Sequence, residues 1–320
     1  MKAVQWQVVF LGALLGVAGC QRTREIRPAK DVPVRAAGVL DLRLMSFNVR
    51  CENSEDAGQR AWGDRVGGII RMIRQQRPDC IGVQEALHGQ AADLWSSLPD
   101  YEFFGVGRDD GQRDGEYSGV FYQRDRFQSD EADRGTFWLS DFPAEPGSKT
   151  WGNEIPRLAT WVRLIDRCTG RGFYLFNTHW DHRSQESRER AAMLIAMKID
   201  SRRHPDEPLA LIGDFNSVEA NPAMEYLTGK ATTLTGVQKI WKNGLVDAYE
   251  IQHAGDKNRR TLHFWKGNRD GGAKVDHILV SREAQVESAE IISDSKPLVS
   301  DHFPVTARVL FLGAPGGRID

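Results

Sequence analysis

Carboxylates and amides recur beside short apolar runs. Asn48 ends "LRLMSFN", Glu85 ends "CIGVQE", Asp214 and Asn216 close "LALIGDFN", and Asp301 stands in "SDH". Oxygen donors of this kind suit a hard cation, magnesium or manganese. The stretch "NTHWDH", Asn177 to His182, suggests a different metal, because it resembles the zinc-hydrolase pattern H-x-H-x-D-H. Asn177 occupies the first histidine position, and an amide is a poor zinc ligand beside imidazole or thiolate. His253, His263 and His277 fall in no zinc spacing. The oxygen-rich set therefore argues for magnesium or manganese and against zinc.

The elements that must carry these residues alternate between two patterns. The runs ending at Asn48, Glu85, His179 and Asn216 are apolar without alternation, as expected of strands buried on both faces. Between them, Trp62, Val66, Ile69, Ile70 and Ile73 fall on one helical face that Pro78 terminates. Ser184 to Arg203 places Ala191, Leu194, Ile195 and Ile199 on another stripe. "RLATWVRLID" and "GFYLFNTH" flank "RCTGR", the pattern of an antiparallel hairpin, so the sheet must be mixed. Two packed mixed sheets with helices on the outer faces fit best, with the polar residues gathered where strands end.

The chain has 320 residues, 40% hydrophobic and 27% charged, with a formal charge of −2, so no global basic field favours nucleic acid. Its first residues, "MKAVQWQVVFLGALLGVAGCQ", have the form of an export signal: Lys2, then an apolar run from Trp6 to Ala18 too short to span a bilayer comfortably. The run ends in "VAGC", similar to a bacterial lipobox, which makes Cys20 the expected lipidation site and membrane anchor. Gln21 stands where an inner-membrane retention signal carries Asp, so an outer membrane is favoured. The expected organisation is a signal peptide (1–19), a tether (20–38), one domain (39–312) and a loose tail (313–320). Cys51, Cys80 and Cys168 remain, and no essential disulfide is expected.

Eight ordered segments, "MSFNVR", "GVQEA", "GEYSGVFY", "PRLATW", "NTHWDH", "GDFNS", "KVDHILVS" and "SDHFPV", resemble the endonuclease/exonuclease/phosphatase superfamily across nearly the whole domain. The resemblance implies a four-layer α/β sandwich and metal-dependent cleavage of phosphate esters. It implies Glu85 as the main metal ligand, with Asn48 and Asp301 close to the metal or the phosphate. Asp214 would orient or deprotonate the attacking water, Asn216 would donate to a phosphate oxygen, and Arg157 would bind phosphate. His302, held by Asp276, would face the transferring phosphate. His179 would be the second catalytic histidine, with Glu116 as its partner.

The chemistry of phosphate esters makes such a set sensible. One divalent cation, Arg157 and two imidazolium groups can cancel the charge growing on phosphorus. A carboxylate partner fixes a histidine ring and raises its pKa, so both His179 and His302 are expected to be raised. The two carboxylate–histidine pairs match diester-cleaving relatives, which favours a phosphodiester substrate, with nucleic acid a candidate beside phospholipid headgroups and phosphorylated sugars. No protein partner is evident and a monomer is expected. His182 is read as a structural or rim residue, "DDGQRDG" as a surface turn rather than a calcium loop, and the contact of His277, which replaces a common tyrosine, is left open. The competing function is a tethered lipoprotein that binds a phospholigand without turnover.

Overall fold

A computed structural model describes residues 38–312. The expected leader, Cys20, the tether as far as residue 37 and the tail 313–320 lie outside the described residues. Two six-stranded sheets form the centre. In the first, β1 (Leu40–Asn48) lies beside β2 (Cys80–Ala86), followed by β4 (Tyr117–Gln123) and β3 (Tyr101–Phe104). On its other side come β14 (Val305–Phe311) and β13 (Ala284–Ile291). The second sheet runs β11 (Val246–Asp247), β12 (Asp276–Val280), β8 (Leu209–Asp214), β7 (Gly172–His179), β6 (Leu158–Asp166), β5 (Phe127–Trp138). A short hairpin, β9 (Thr232–Leu234) with β10 (Val237–Lys239), stands apart from both.

Each sheet has one parallel pair at its centre, β1 with β2 and β7 with β8, and every other pairing is antiparallel. A parallel pair needs a long crossover, and the helices α1 (Trp62–Gln76) and α3 (Gln185–Asp200) supply it. The helix α1 ends where Arg77 turns left-handed ahead of Pro78. Ser184 caps α3 by accepting a hydrogen bond from the Ser187 amide. That helix ends at Asp200 rather than Arg203.

Leu42, Leu44 and Val120 of the first sheet pack against Val162, Leu175 and Ile212 of the second. Outside the first sheet, Ile69 and Ile73 of α1 and Leu94 of α2 (His88–Ser97) cover Phe47 and Ile81. Outside the second, Ala191, Ile195 and Ile199 of α3 and Met224 of α4 (Pro222–Leu227) cover Phe176 and Leu211. Helix, sheet, sheet, helix: this is the four-layer sandwich. Cys80 is buried in β2, and Cys51, Cys80 and Cys168 carry free thiols. Among the described residues no helix is long and apolar enough to cross a membrane.

Strand direction decides where the polar residues meet. β1, β2, β7 and β8 end at or beside Asn48, Glu85, His179 and Asp214. The antiparallel β4, β6, β12 and β14 begin at or just after Glu116, Arg157, Asp276 and His302. Ends of one set and starts of the other fall at the same end of the sandwich.

Candidate active site

Asn48 lies at the centre of this end, fully buried. Its amide nitrogen donates to Glu85 Oε1 (2.8 Å) and to Asp214 Oδ2 (3.0 Å), while its Oδ1 accepts from the Arg50 amide. Asn48 thus turns nitrogen, not oxygen, toward the carboxylates, and in this arrangement it organises them. Glu85 sits at φ +65°, a left-handed conformation costly for a residue with a Cβ. Its second oxygen accepts from the Cys51 amide. Burial opposes ionisation of Glu85, but the charge of His302 and the bond from Asn48 outweigh it, and its pKa is lowered.

Asp214 Oδ2 stands between two imidazoles, 3.6 Å from His179 Nε2 and 3.7 Å from His302 Nε2. Its Oδ1 accepts from the Asn216 amide. Burial, then the charge of Asp276, pushes its pKa up to about 7. Asp276 Oδ2 meets His302 Nδ1 at 2.8 Å. Burial works against the charged imidazole, but Asp276 and Asp214 prevail and raise its pKa well above the ordinary value.

The second histidine departs from expectation. His179 Nδ1 is 3.9 Å from Glu116, beyond hydrogen-bond reach. Glu116 is instead gripped by both terminal nitrogens of Arg108, at 2.5 and 2.9 Å. Burial and the charges of Arg157 and Arg108 hold the His179 pKa well below the ordinary histidine value, so the expected rise is corrected to a fall. His179 is the neutral member of the pair and His302 the charged one. Glu116 itself is pushed up to about 7 by burial and by Glu85.

Arg157 is buried, and its Nε and Nη1 carry no hydrogen bond. Its Nη2 meets His182 Nδ1 at 3.2 Å, and Asp181 lies 3.7 Å from its Nε. An arginine with two buried nitrogens that make no hydrogen bond suits an anion that would complete it. Asn216, at φ +47°, donates from its side chain to the Trp180 carbonyl. Asp301 pairs with Arg50 at 3.6 Å, and burial raises its pKa.

Sequence reasoning missed Arg108. Nothing in "GRDDG" distinguishes that arginine from a surface residue, and its role follows only from the fold returning it to Glu116. The rest of that segment is the expected turn, in which Asp110 accepts from the Gln112 and Asp114 amides. Asn177 is not a ligand. It lies between the sheets, donating to the Val83 and Gly119 carbonyls and accepting from Gln84.

Glu85, Asp214 and His302 each bring a ligand atom within 4.8 Å of the others. A charged imidazole cannot ligate, so the carboxylates are the donors that matter. Burial holds Asp214, Glu116 and Asp301 above the ordinary carboxylate range, a surplus of buried negative charge that a divalent cation would relieve. The residues fit a hard cation, with Glu85 to hold it, Asp301 beside it and Asp214 facing the same centre.

A four-layer sandwich with carboxylates, two imidazoles and an arginine at the strand ends defines a class of phosphoester-cleaving proteins. The Endonuclease/Exonuclease/phosphatase family model matches residues 45–302, and the chain belongs to that family. An endonuclease/exonuclease/phosphatase from Bacteroides vulgatus is 33% identical, with 84% of this chain and 98% of that one covered and a TM-score of 0.76. The mannosyl-6-phosphatase Bt3783 of Bacteroides thetaiotaomicron is 32% identical, with 84% and 99% covered and a TM-score of 0.73. The human Nocturnin catalytic domain with bound sulfate, 19% identical over 84% and 93% with a TM-score of 0.64, shares the fold. A search of curated proteins gives no match.

Proposed function

We propose that this chain is a divalent-metal-dependent phosphoester hydrolase, using magnesium or manganese and held at a membrane by a lipid on Cys20. The observation that carries the reading is the joint placement of Asp214, Asp276-held His302 and an Arg157 with two nitrogens free of hydrogen bonds around one buried centre. A bound cation would supply charge to the phosphate oxygens and lower the pKa of a water. Arg157 binds the phosphate. Asp214, whose Oδ2 lies between the two imidazoles, orients the attacking water and takes its proton. His302, kept protonated by Asp276, donates to a phosphate oxygen or to the leaving group, and neutral His179 donates one N–H. The "VAGC" junction after a short apolar run supports the lipoprotein reading.

A phosphodiester remains the proposed substrate on the strength of the Asp276–His302 pair. A second reading, a sugar phosphomonoester, is favoured by the mannosyl-6-phosphatase relative and by Glu116 being committed to Arg108 rather than His179. Hydrolysis of a panel of mono- and diesters under magnesium or manganese separates the two. Tight binding of phosphoesters with no turnover under either metal would leave the non-catalytic lipoprotein instead, and full activity after exhaustive chelation would refute the metal. Soluble, unlipidated protein in cell fractions, unchanged by Cys20→Ser, would refute the anchor.

A further inference from the structure

Lys274 is buried without any exposed surface, an expensive position for an ammonium. Its Nζ lies 2.7 Å from Asp247 Oδ2, 2.7 Å from His277 Nδ1 and 3.1 Å from Glu219 Oε1. The Asp247 contact is a hydrogen bond, and the same Oδ2 lies 2.6 Å from His277 Nδ1, which donates its proton to the carboxylate and meets the ammonium only as a neighbour. The Glu219 contact is an ion pair, since its Oε1 makes no hydrogen bond. Asp247, His277 and Glu219 bring one ligand atom each within 4.8 Å of one another, which is the spacing of a metal cage with two carboxylates and one imidazole. The ammonium occupies the place a cation would take.

What this cage holds is the loop after β8. His277 Nε2 lies 2.9 Å from the Ser217 carbonyl and donates to it, and the His277 ring meets Phe215 edge-on at 5.4 Å. The Phe215 amide donates to Val275, the neighbour of Lys274. Glu219 closes the same loop, and its other oxygen lies 3.4 Å from Arg259. Asp214 and Asn216 open that loop, Asn216 in the left-handed conformation that asparagine adopts more readily than most residues. A rigid cation behind the loop fixes the carboxylate and amide in front of it.

We infer that Lys274 is a built-in cation standing in a metal-type cage, and that through Glu219 and the Asp247–His277 pair it positions the Asp214–Asn216 segment for the reaction. The histidine in place of a tyrosine is then explained: it donates from Nδ1 to the Asp247 carboxylate that holds the ammonium and from Nε2 to the loop carbonyl, two contacts that one phenol oxygen cannot make in opposite directions. The positioning role rests on the hydrolase reading above, but the cage does not.

The test compares the full chain with its Lys274→Ala variant. Hydrogen exchange of the 215–219 amides should quicken in the variant, and kcat should fall about 10-fold or more with KM changed far less. Cobalt(II) should bind with one equivalent more than in wild type and restore the slow exchange. His277→Ala in the same background should abolish that extra equivalent. Should Lys274→Ala fail to fold, the charge-balanced pair Lys274→Met with Asp247→Asn carries the exchange and kcat measurements, and the same losses are expected. Unchanged exchange at 215–219 in a folded variant overturns the inference, and so does a Lys274→Ala protein that takes up no extra cobalt. Exchange and cobalt count do not need turnover. An inactive wild type that passes both would refute the hydrolase reading and leave the cage standing.

Discussion

Asp276 holds His302 through one contact, Oδ2 to Nδ1 at 2.8 Å, with both side chains buried. If the carboxylate acts through the imidazole, the two residues are one device. His302→Ala should lower kcat about 10²-fold or more, and Asp276→Asn should reproduce much of that loss. The double variant should cost far less than the product of the singles. Asp276 raises the His302 pKa, so its removal should move the alkaline limb of the rate profile to lower pH. Multiplicative losses in kcat would show two independent groups and dissolve the pair.

Arg108 and Glu116 form the opposite case, because their bond takes a carboxylate away from a histidine. His179 should titrate below 6.5 in the chelated protein, read from its ring proton by NMR. Arg108→Met removes one of the charges that depress it and frees Glu116 to turn, so the His179 pKa should rise. A wild-type His179 titrating above 6.5 would contradict the assignment of a neutral ring.

The layers were legible because their cause is local. Apolar runs at Asn48, Glu85, His179 and Asn216 and stripes such as Ile69–Ile73 follow directly from burial, and the turn at "RCTGR" closes the β6–β7 hairpin as its residues require. The site residues were legible as a set, since polar groups at buried strand ends have few reasons to be there. Their partners were not. Which of Arg108 and His179 wins Glu116 is decided by competing contacts a few ångströms apart, one from the same segment and one from a strand far away in the sequence. The same holds for Lys274, which in "KVDHIL" looks like any solvent-facing lysine until the fold buries it against Asp247.

Stability of the chelated protein should fall as pH rises from about 4.5 to about 7. Asp214 and Glu116 are each pushed to about 7 in the folded chain against roughly 4 when unfolded. A raised folded pKa gives stability that is lost between the unfolded and the folded value, because over that range the native state keeps protons the unfolded chain has already released, and the loss levels off above it. His302, held protonated, contributes with the same sign but only above about 6.5, where an unfolded histidine has released its proton. His179, depressed, contributes with the opposite sign only below about 6.5, where an unfolded histidine gains its proton. Magnesium or manganese should flatten the fall. A melting temperature that is level or rising across this window in the presence of a chelator would contradict these shifts.

Asn177 supplies the last test, since it is the position where a zinc pattern and this fold make opposite demands. Its amide bridges the two sheets by donating to the Val83 and Gly119 carbonyls and accepting from Gln84 Nε2. Gly82 packs so close that a Cβ there would lie 2.7 Å from Asn177 Cγ, so the site has no room for a larger side chain. Asn177→Ala should destabilise the protein by about 2–3 kcal/mol, the cost of leaving buried polar groups unpaired. Asn177→Asp should do worse, because a carboxylate would face two carbonyl oxygens. Asn177→His completes H-x-H-x-D-H, yet it should destabilise the sandwich and create no zinc dependence. Denaturant midpoints for the three variants, with activity measured under zinc and magnesium, check the order. A stable, zinc-activated Asn177→His protein would show that this residue lines the reaction centre rather than joining the sheets behind it.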